Sequence, residues 1–363
     1  FWEERITRYW KLFQETGQDL PGAFRKLAES GRLEIISSAA THGFLPLLGR
    51  EESLSLQLAV GAAEHQRIFG RAPRGCWVPE CAYHPGGEWD PIPGLSRKAH
   101  RAGVEVFLEE AGFRYFFLDT HMAEAGVSLG AYGDVPHGVE RFDAEWHGVT
   151  KAGEMEGRRS PYQSFLVASE KGGRGVSAFV REPRSSMQVW SRHHGYPGDE
   201  WYLEFHKIRW PGGLKYWRVT GPELGLGAKA AYVPEEARKR VLDHASHFAR
   251  LLGEIQENGE LGADAVTMAP FDTELFGHWW FEGVDFLREV YRAIPGSPTV
   301  IPVTASEHLD SFPSRHRIRP LEGSWGANGD FSMWLNPETE WTWERLWSLE
   351  DAFWSAAPGA LTQ

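Results

Sequence analysis

The sequence predicts an α/β fold of the parallel-sheet or barrel kind, on three observations. Strand-like runs alternate with helix-like segments along most of the chain, the order that produces parallel strands joined by helical crossovers. Each run leads directly into ionisable or hydrogen-bonding residues, as barrel strands do at the carboxyl ends that gather an active site. A chain of 363 residues, 42% of them hydrophobic, can bury a large core, which suggests one big catalytic domain plus an appendage.

Taken in order, residues 33–38 lead to Thr41, His42 and Gly43, and residues 75–78 lead to Glu80. Residues 115–118 lead to Asp119 and His121, and residues 176–180 to Arg181 and Glu182. Residues 265–268 lead to Asp272, and residues 299–303 to Thr304 and Glu307. Six strand ends facing one cavity is the expectation. Helices are expected at about 52–69, 95–112, 234–258 and 281–293, with Gly70, Gly112 and Gly259 as stops. Residues 164–180 read as two strands around Lys171-Gly172-Gly173-Arg174-Gly175, a hairpin-type turn.

The stretch 119–163 is rich in Gly, His and acidic residues without a clear period and reads as an insertion. Residues 183–233 form a long excursion with turns at Tyr196-Pro197-Gly198 and Trp210-Pro211-Gly212-Gly213; excursions of this length are usually functional, which suggests a lid. The barrel region is therefore placed at 1–118 and 164–311. From 312, Trp-rich sequence suggests the start of a helical C-terminal domain.

The net charge of −12 argues against nucleic acid or an anionic membrane as partner, and no apolar run reaches the roughly 18 residues of a membrane span. A neutral substrate suits this field better. The only cysteines, Cys76 and Cys81, make neither a disulfide framework nor a four-cysteine metal site, which points to a reducing, cytoplasmic compartment. The N-terminus lacks a charged-then-apolar signal pattern. The chain begins at Phe1 without Met and already in a helical rhythm, as if entered in mid-element.

Two segments carry the chemistry: Gly75-Cys76-Trp77-Val78-Pro79-Glu80-Cys81-Ala82-Tyr83 and Ala269-Pro270-Phe271-Asp272-Thr273-Glu274-Leu275-Phe276-Gly277-His278-Trp279-Trp280. Each sets a carboxylate after an apolar run, beside aromatic rings. A pair of carboxylates in one pocket is what glycosidic bond cleavage or transfer requires, one attacking or stabilising and the other donating a proton. The apolar neighbours of Asp272 favour its neutral form, as a general acid needs; its rivals are a helix-capping role for Asp272 and Glu274 as the acid. Glu80 alone also fits a structural strand-end carboxylate. His42 is placed to bond sugar hydroxyls or the catalytic pair, and Arg181 to pair with a catalytic carboxylate or a rim acid. Asp119 and His121, with His278, resemble part of a metal site, but their spacing matches no zinc signature, and solvated or core roles are favoured. Trp217, Trp279, Trp280 and Trp325 are candidate sugar platforms, since indole faces suit the C–H faces of a sugar ring. Tyr196, in its turn, is a candidate lid tip.

The two carboxylate segments, with Thr41-His42-Gly43-Phe44-Leu45-Pro46-Leu47-Leu48, resemble glycoside hydrolase family 57, and within it the 1,4-α-glucan branching enzymes. Similar too are Gln188-Val189-Trp190-Ser191, Gly195-Tyr196-Pro197-Gly198, Gly212-Gly213-Leu214-Lys215-Tyr216-Trp217-Arg218-Val219-Thr220, Val303-Thr304-Ala305 and Gly323-Ser324-Trp325-Gly326. The resemblance runs from near residue 1 to at least 336. It implies an incomplete (β/α)7 barrel, a retaining mechanism, no metal or organic cofactor, and an α-1,4-glucan as both donor and acceptor. It further implies Glu80 as nucleophile, Asp272 as acid and base, Trp217, Trp325, Arg209 and Gly225 lining the glucan groove, and Tyr196 on a mobile loop that shields the intermediate from water. Shielding would favour an α-1,6 branch over hydrolysis. The alternatives are a hydrolytic α-amylase or 4-α-glucanotransferase of the same family, and a non-catalytic glucan-binding protein.

One departure stands out. The family's His-x-His motif after the first strand has no match near the N-terminus. With the abrupt start, this implies that the first barrel strands and much of the C-terminal domain lie outside this chain, which would leave open, destabilising strand edges.

Overall fold

Two short strands, β1 (Ser37–Ser38) and β2 (Cys76–Trp77), pair in parallel and begin a wall whose members follow one another in chain order. The computed structural model describes residues 1–126, 158–168, 172–190, 195–221, 223–259 and 261–356. Beyond β2, strands β3 (Gly87–Trp89) and β4 (Ala99–Arg101) form a separate antiparallel pair. A parallel bridge from Gly75 to Tyr115 joins β2 to β5 (Tyr115–Leu118). Strands β6 (Phe165–Val167), β7 (Val176–Val180) and β8 (His316–Ile318) complete a four-stranded sheet in the order β5, β7, β6, β8. β5 and β7 are parallel, with Tyr115 opposite Ser177 and Leu118 opposite Val180. Just past β7, Arg181 bridges in parallel to Met268.

The wall therefore runs β1, β2, β5, β7 and then residue 268, all parallel and all in sequence order. Helix Glu51–Phe69 connects β1 to β2, and helix Val104–Glu110 precedes β5. This is consistent with the α/β arrangement of a (β/α)-type barrel wall, whose parallel strands open their carboxyl ends toward one side, while β6, antiparallel to β7, and β8 run the other way. β5 is buried along its whole length, and four of the five β7 residues are buried, because helices and loops cover both faces; hence their continuous apolar sequence.

The main hydrophobic core lies along this wall, with Phe116, Leu118, Ala178 and Phe179 inaccessible to solvent. A second core joins helices Pro234–Asn258 and Gly283–Ala293 to Tyr196, Tyr202 and Trp280. Helix Glu340–Ala356 returns to the segment after β1, where Trp347 donates to the Leu47 carbonyl at 2.8 Å and Trp354 to the Ser53 hydroxyl at 2.9 Å. No described helix is long and apolar enough to cross a membrane.

Several expectations change. Residues 33–36 form no ladder, and the Ile35 carbonyl instead accepts from His65 Nε2 at 3.0 Å. The segment 95–112 is not one helix: β4 occupies its first half, where buried Arg101 donates to the carbonyls of Pro46 and Leu48. Residues 265–268 contribute only the bridge at Met268. Residues 299–303 form no strand, and Ile301 is 80% exposed. Thr304 and Glu307, expected at a strand end facing the cavity, are instead the reciprocal capping box of helix Ala305–Ser311. Of the insertion at 119–163, residues 127–157 lie outside the described residues, as does Lys171 of the hairpin turn. The excursion 183–233 opens with helix Pro183–Trp190 and packs Tyr196, Tyr202 and Leu203 into buried positions. The segment after 312 begins by adding β8 to the sheet, parallel to β6.

Candidate active site

Glu80 leaves the end of β2 through Val78 and a tight 3-10 turn over Pro79–Cys81. Its backbone sits at φ 61°, and that of Cys81 at φ 49°. Left-handed conformations cost a non-glycine residue about 1–3 kcal/mol, so this turn persists only because its surroundings fix it. The loop 323–326 does so. Tyr83 and Gly323 exchange two backbone hydrogen bonds of 2.9 and 3.1 Å, and the Trp325 amide donates to the Glu80 carbonyl at 3.1 Å. The Trp325 indole then donates to Glu80 Oε2 at 3.0 Å, and His42 Nε2 lies 3.3 Å from Oε1.

These partners set the charge of Glu80. Its carboxyl is held below the usual range chiefly by the His42 hydrogen bond; burial pushes the other way, and the Trp325 indole and the charge of His42 add to the lowering. His42, another left-handed residue at φ 53°, is raised in turn, chiefly by its bond to Glu80. The pair thus favours the ionised carboxylate on one side and the protonated imidazole on the other.

Asp272 behaves in the opposite way. It stands just before a 3-10 turn over Thr273–Leu275 and its side chain makes no capping bond, so the capping rival does not hold. Burial pushes its carboxyl up to about 6, and the negative charges of Glu274 and Glu80 add to that push, while His42 and Arg181 oppose it. Four groups from four segments thus act on one carboxyl. Asp272 and Glu80 share an electrostatic site in which the first is held toward its protonated form, titrating at about 6, and the second toward its ionised form, the division of labour that acid-assisted nucleophilic displacement needs.

Behind Trp325 lies a buried ionic layer. Asp119, fully buried, sits 3.6 Å from the Arg181 guanidinium and 3.4 Å from His121 Nδ1; His121 Nε2 donates to the Gly329 carbonyl at 2.8 Å. Arg181 lies 5.4 Å over the Trp325 ring. Although burial opposes ionisation, Arg181 and His121 bring Asp119 below the usual carboxylate range. Asp119 thus neutralises Arg181, the core role favoured for it, and His278 packs against Phe205 on another segment. Among the described residues no group of three or more ligating side chains is placed to hold a metal.

A groove of about 820 Å³ opens beside Asp272, lined among others by Glu274, Trp279, Trp190, Gly225 and Lys229. Trp279 is 45% exposed and stacks on Phe205, ring centroids 4.3 Å apart. Other expected site residues fall elsewhere. Tyr196 is 1% exposed, stacked on His244 at 4.5 Å with its hydroxyl 2.5 Å from His247 Nδ1, so it belongs to the second core and is no lid tip. Arg209 is exposed on a hairpin closed by its bond to Leu214, and half-buried Trp217 lies under Lys207; neither lines the Asp272 groove. Trp280 is buried, and Trp325, 7% exposed, grips Glu80 rather than offering a free face. Sequence reading missed the buried Glu204–Lys229 pair, 3.2 Å apart in the groove wall, because 25 residues separate its partners without any local pattern.

The family model "Glycosyl hydrolase family 57" matches residues 5–319. The chain belongs to this family. Among family members, it is 43% identical over 352 residues to a 1,4-alpha-glucan branching enzyme of Thermococcus kodakarensis, covering 96% of this chain and 48% of that protein. The crystal structure of a family 57 branching enzyme from Pyrococcus horikoshii superposes with a TM-score of 0.82 at 39% identity, over 97% of this chain and 59% of that one. An alpha-amylase from Thermotoga maritima gives a TM-score of 0.69 at 28% identity, over 91% of this chain and 58% of that one. The chain spans about half the length of the curated relatives it matches.

Proposed function

We propose that this chain carries the catalytic site of a 1,4-α-glucan branching enzyme acting by double displacement with retention. The observation that carries the reading is the opposite displacement of two carboxyls in one site, Glu80 down and Asp272 up to about 6. In the first step the Glu80 carboxylate attacks the anomeric carbon, Asp272 gives its proton to the departing glycosidic oxygen, and a glucosyl ester forms on Glu80. In the second, the 6-hydroxyl of an acceptor glucan attacks that carbon, its proton goes to the Asp272 carboxylate, and Glu80 leaves. Donor and acceptor are both α-1,4-glucans. His42 and Trp325 keep Glu80 ionised and aimed. Gly225 and Trp279 line the groove that receives the glucan, with Trp217 and Arg209 contacting more distant sugars.

The similarity to branching enzymes at about 40% identity favours transfer over the hydrolysis of the more distant amylase. Two free, buried cysteines support a reducing compartment, the cytoplasm. Incubation of the purified protein with amylose tests the reading. New α-1,6 linkages without matching reducing ends support it; reducing ends alone indicate an amylase, and neither product indicates a binding protein.

A further inference from the structure

The groove beside Asp272 has a chemical direction. In double displacement the acid that protonates the leaving oxygen is the base that later takes the acceptor's proton, so the leaving and incoming chains must both lie on its side. The groove is lined by Asp272 and Glu274, and its volume of about 820 Å³ suits a chain of sugars rather than a water molecule.

Within it, Trp279 is a large aromatic ring left 45% exposed, at the cost of the burial energy it would gain in a core. Its orientation is fixed by Phe205, whose ring also carries the Lys215 ammonium at 3.9 Å. The part of the lining built on Lys229 and Glu204 is equally firm. Lys229 donates to the carbonyls of Val219 and Gly221 at 2.7 and 2.9 Å while paired with Glu204, and Glu204 Oε1 accepts from the His206 amide at 2.9 Å. The groove is thus a rigid trough with one flat apolar face and a polar edge, preformed without ligand.

We propose that this trough is the acceptor subsite and that Trp279, backed by Phe205, is the platform on which the acceptor glucan stacks, setting the partition of the glucosyl ester between glucan and water. The proposal rests on the double-displacement reading above. An occupied trough presents a sugar hydroxyl to Asp272; an empty one leaves water as the nucleophile.

α-Maltosyl fluoride as donor isolates this step, because fluoride departs without a proton from Asp272 and without a chain in the trough. With maltohexaose as acceptor, the ratio of transferred to hydrolysed maltosyl groups is read against acceptor concentration. Trp279→Leu keeps apolar bulk without a flat face. The acceptor concentration for half-maximal transfer is expected to rise about tenfold, with Trp279→Phe restoring most of the loss. An unchanged acceptor dependence in the Leu variant, or a rise confined to the KM for the donor, overturns the assignment. No fluoride release by the wild type would defeat the double-displacement reading itself, and this proposal with it.

Discussion

Trp325 holds Glu80 twice, by its backbone amide to the Glu80 carbonyl at 3.1 Å and by its indole nitrogen to the Glu80 carboxylate at 3.0 Å. One residue thereby fixes both the strained turn and the carboxylate it displays. The indole is itself wedged against Trp77, with ring centroids 4.8 Å apart, and Arg181 lies over it. Rigidity passes from the buried ionic layer through an aromatic ring to the proposed nucleophile.

Trp325→Phe removes the indole donor while keeping most of the packing. A hydrogen bond to a charged group contributes about 1.5–3 kcal/mol, so kcat should fall about 10- to 100-fold. The indole also lowers the Glu80 pKa, so its loss moves the acid limb of the kcat/KM profile to higher pH. A pH–rate profile of the variant checks both effects.

Asp272 must be protonated for the first step, and its carboxyl titrates at about 6. The kcat/KM for glucan should therefore decline as pH rises through about 6. Glu274 is among the charges that hold this value up, so Glu274→Gln should shift the decline to lower pH. A profile unmoved by that change would remove Glu274 from the account.

The same displacement predicts an effect on stability. Asp272 is raised in the fold from the ordinary 3.8, so below that value both states are protonated and the group is neutral in effect. Above about 6 both states are ionised and the fold carries the full penalty. Asp272→Asn should accordingly stabilise the protein at pH 7 by about 1 kcal/mol after allowance for solvent screening, and leave stability near pH 3.5 unchanged. Denaturant titration at the two pH values measures the difference.

Asp119 and Arg181 are buried together at 0% and 2% exposure. Removing one partner leaves an uncompensated interior charge, so Asp119→Ala should cost about 3–5 kcal/mol, seen as a lower denaturation midpoint.

Tyr196→Phe keeps the ring stacked on His244 and removes the hydroxyl that meets His247. A loss of about 1 kcal/mol of stability is expected, with the ratio of branching to hydrolysis unchanged. A lid residue would have shifted that ratio instead.

These sites differ in how far the sequence disclosed them. β5 and β7 are continuous apolar runs because both their faces are covered, and the carboxylates that follow such runs stand out at once. Residues 299–303 have the same apolar character, yet Ile301 and Val303 lie exposed and only Val300 packs against the second core, while Thr304 and Glu307 serve the cap of helix Ala305–Ser311. The Tyr196-Pro197-Gly198 turn was visible from its composition. Its burial was not, because that depends on His244 and His247, about 50 residues away. The grip of Trp325 on Glu80 spans 245 residues, and only the folded chain brings the two loops together.

The central claim is that Glu80 becomes covalently glycosylated while Asp272 moves the proton. In Asp272→Asn, α-maltosyl fluoride can still load the enzyme, but no base remains to activate the acceptor, so the ester should accumulate. Mass spectrometry of the digested variant should find one maltosyl group on the peptide containing Glu80. A maltosyl group on Glu274 or any other carboxylate, or product of inverted configuration with no adduct, would contradict the account.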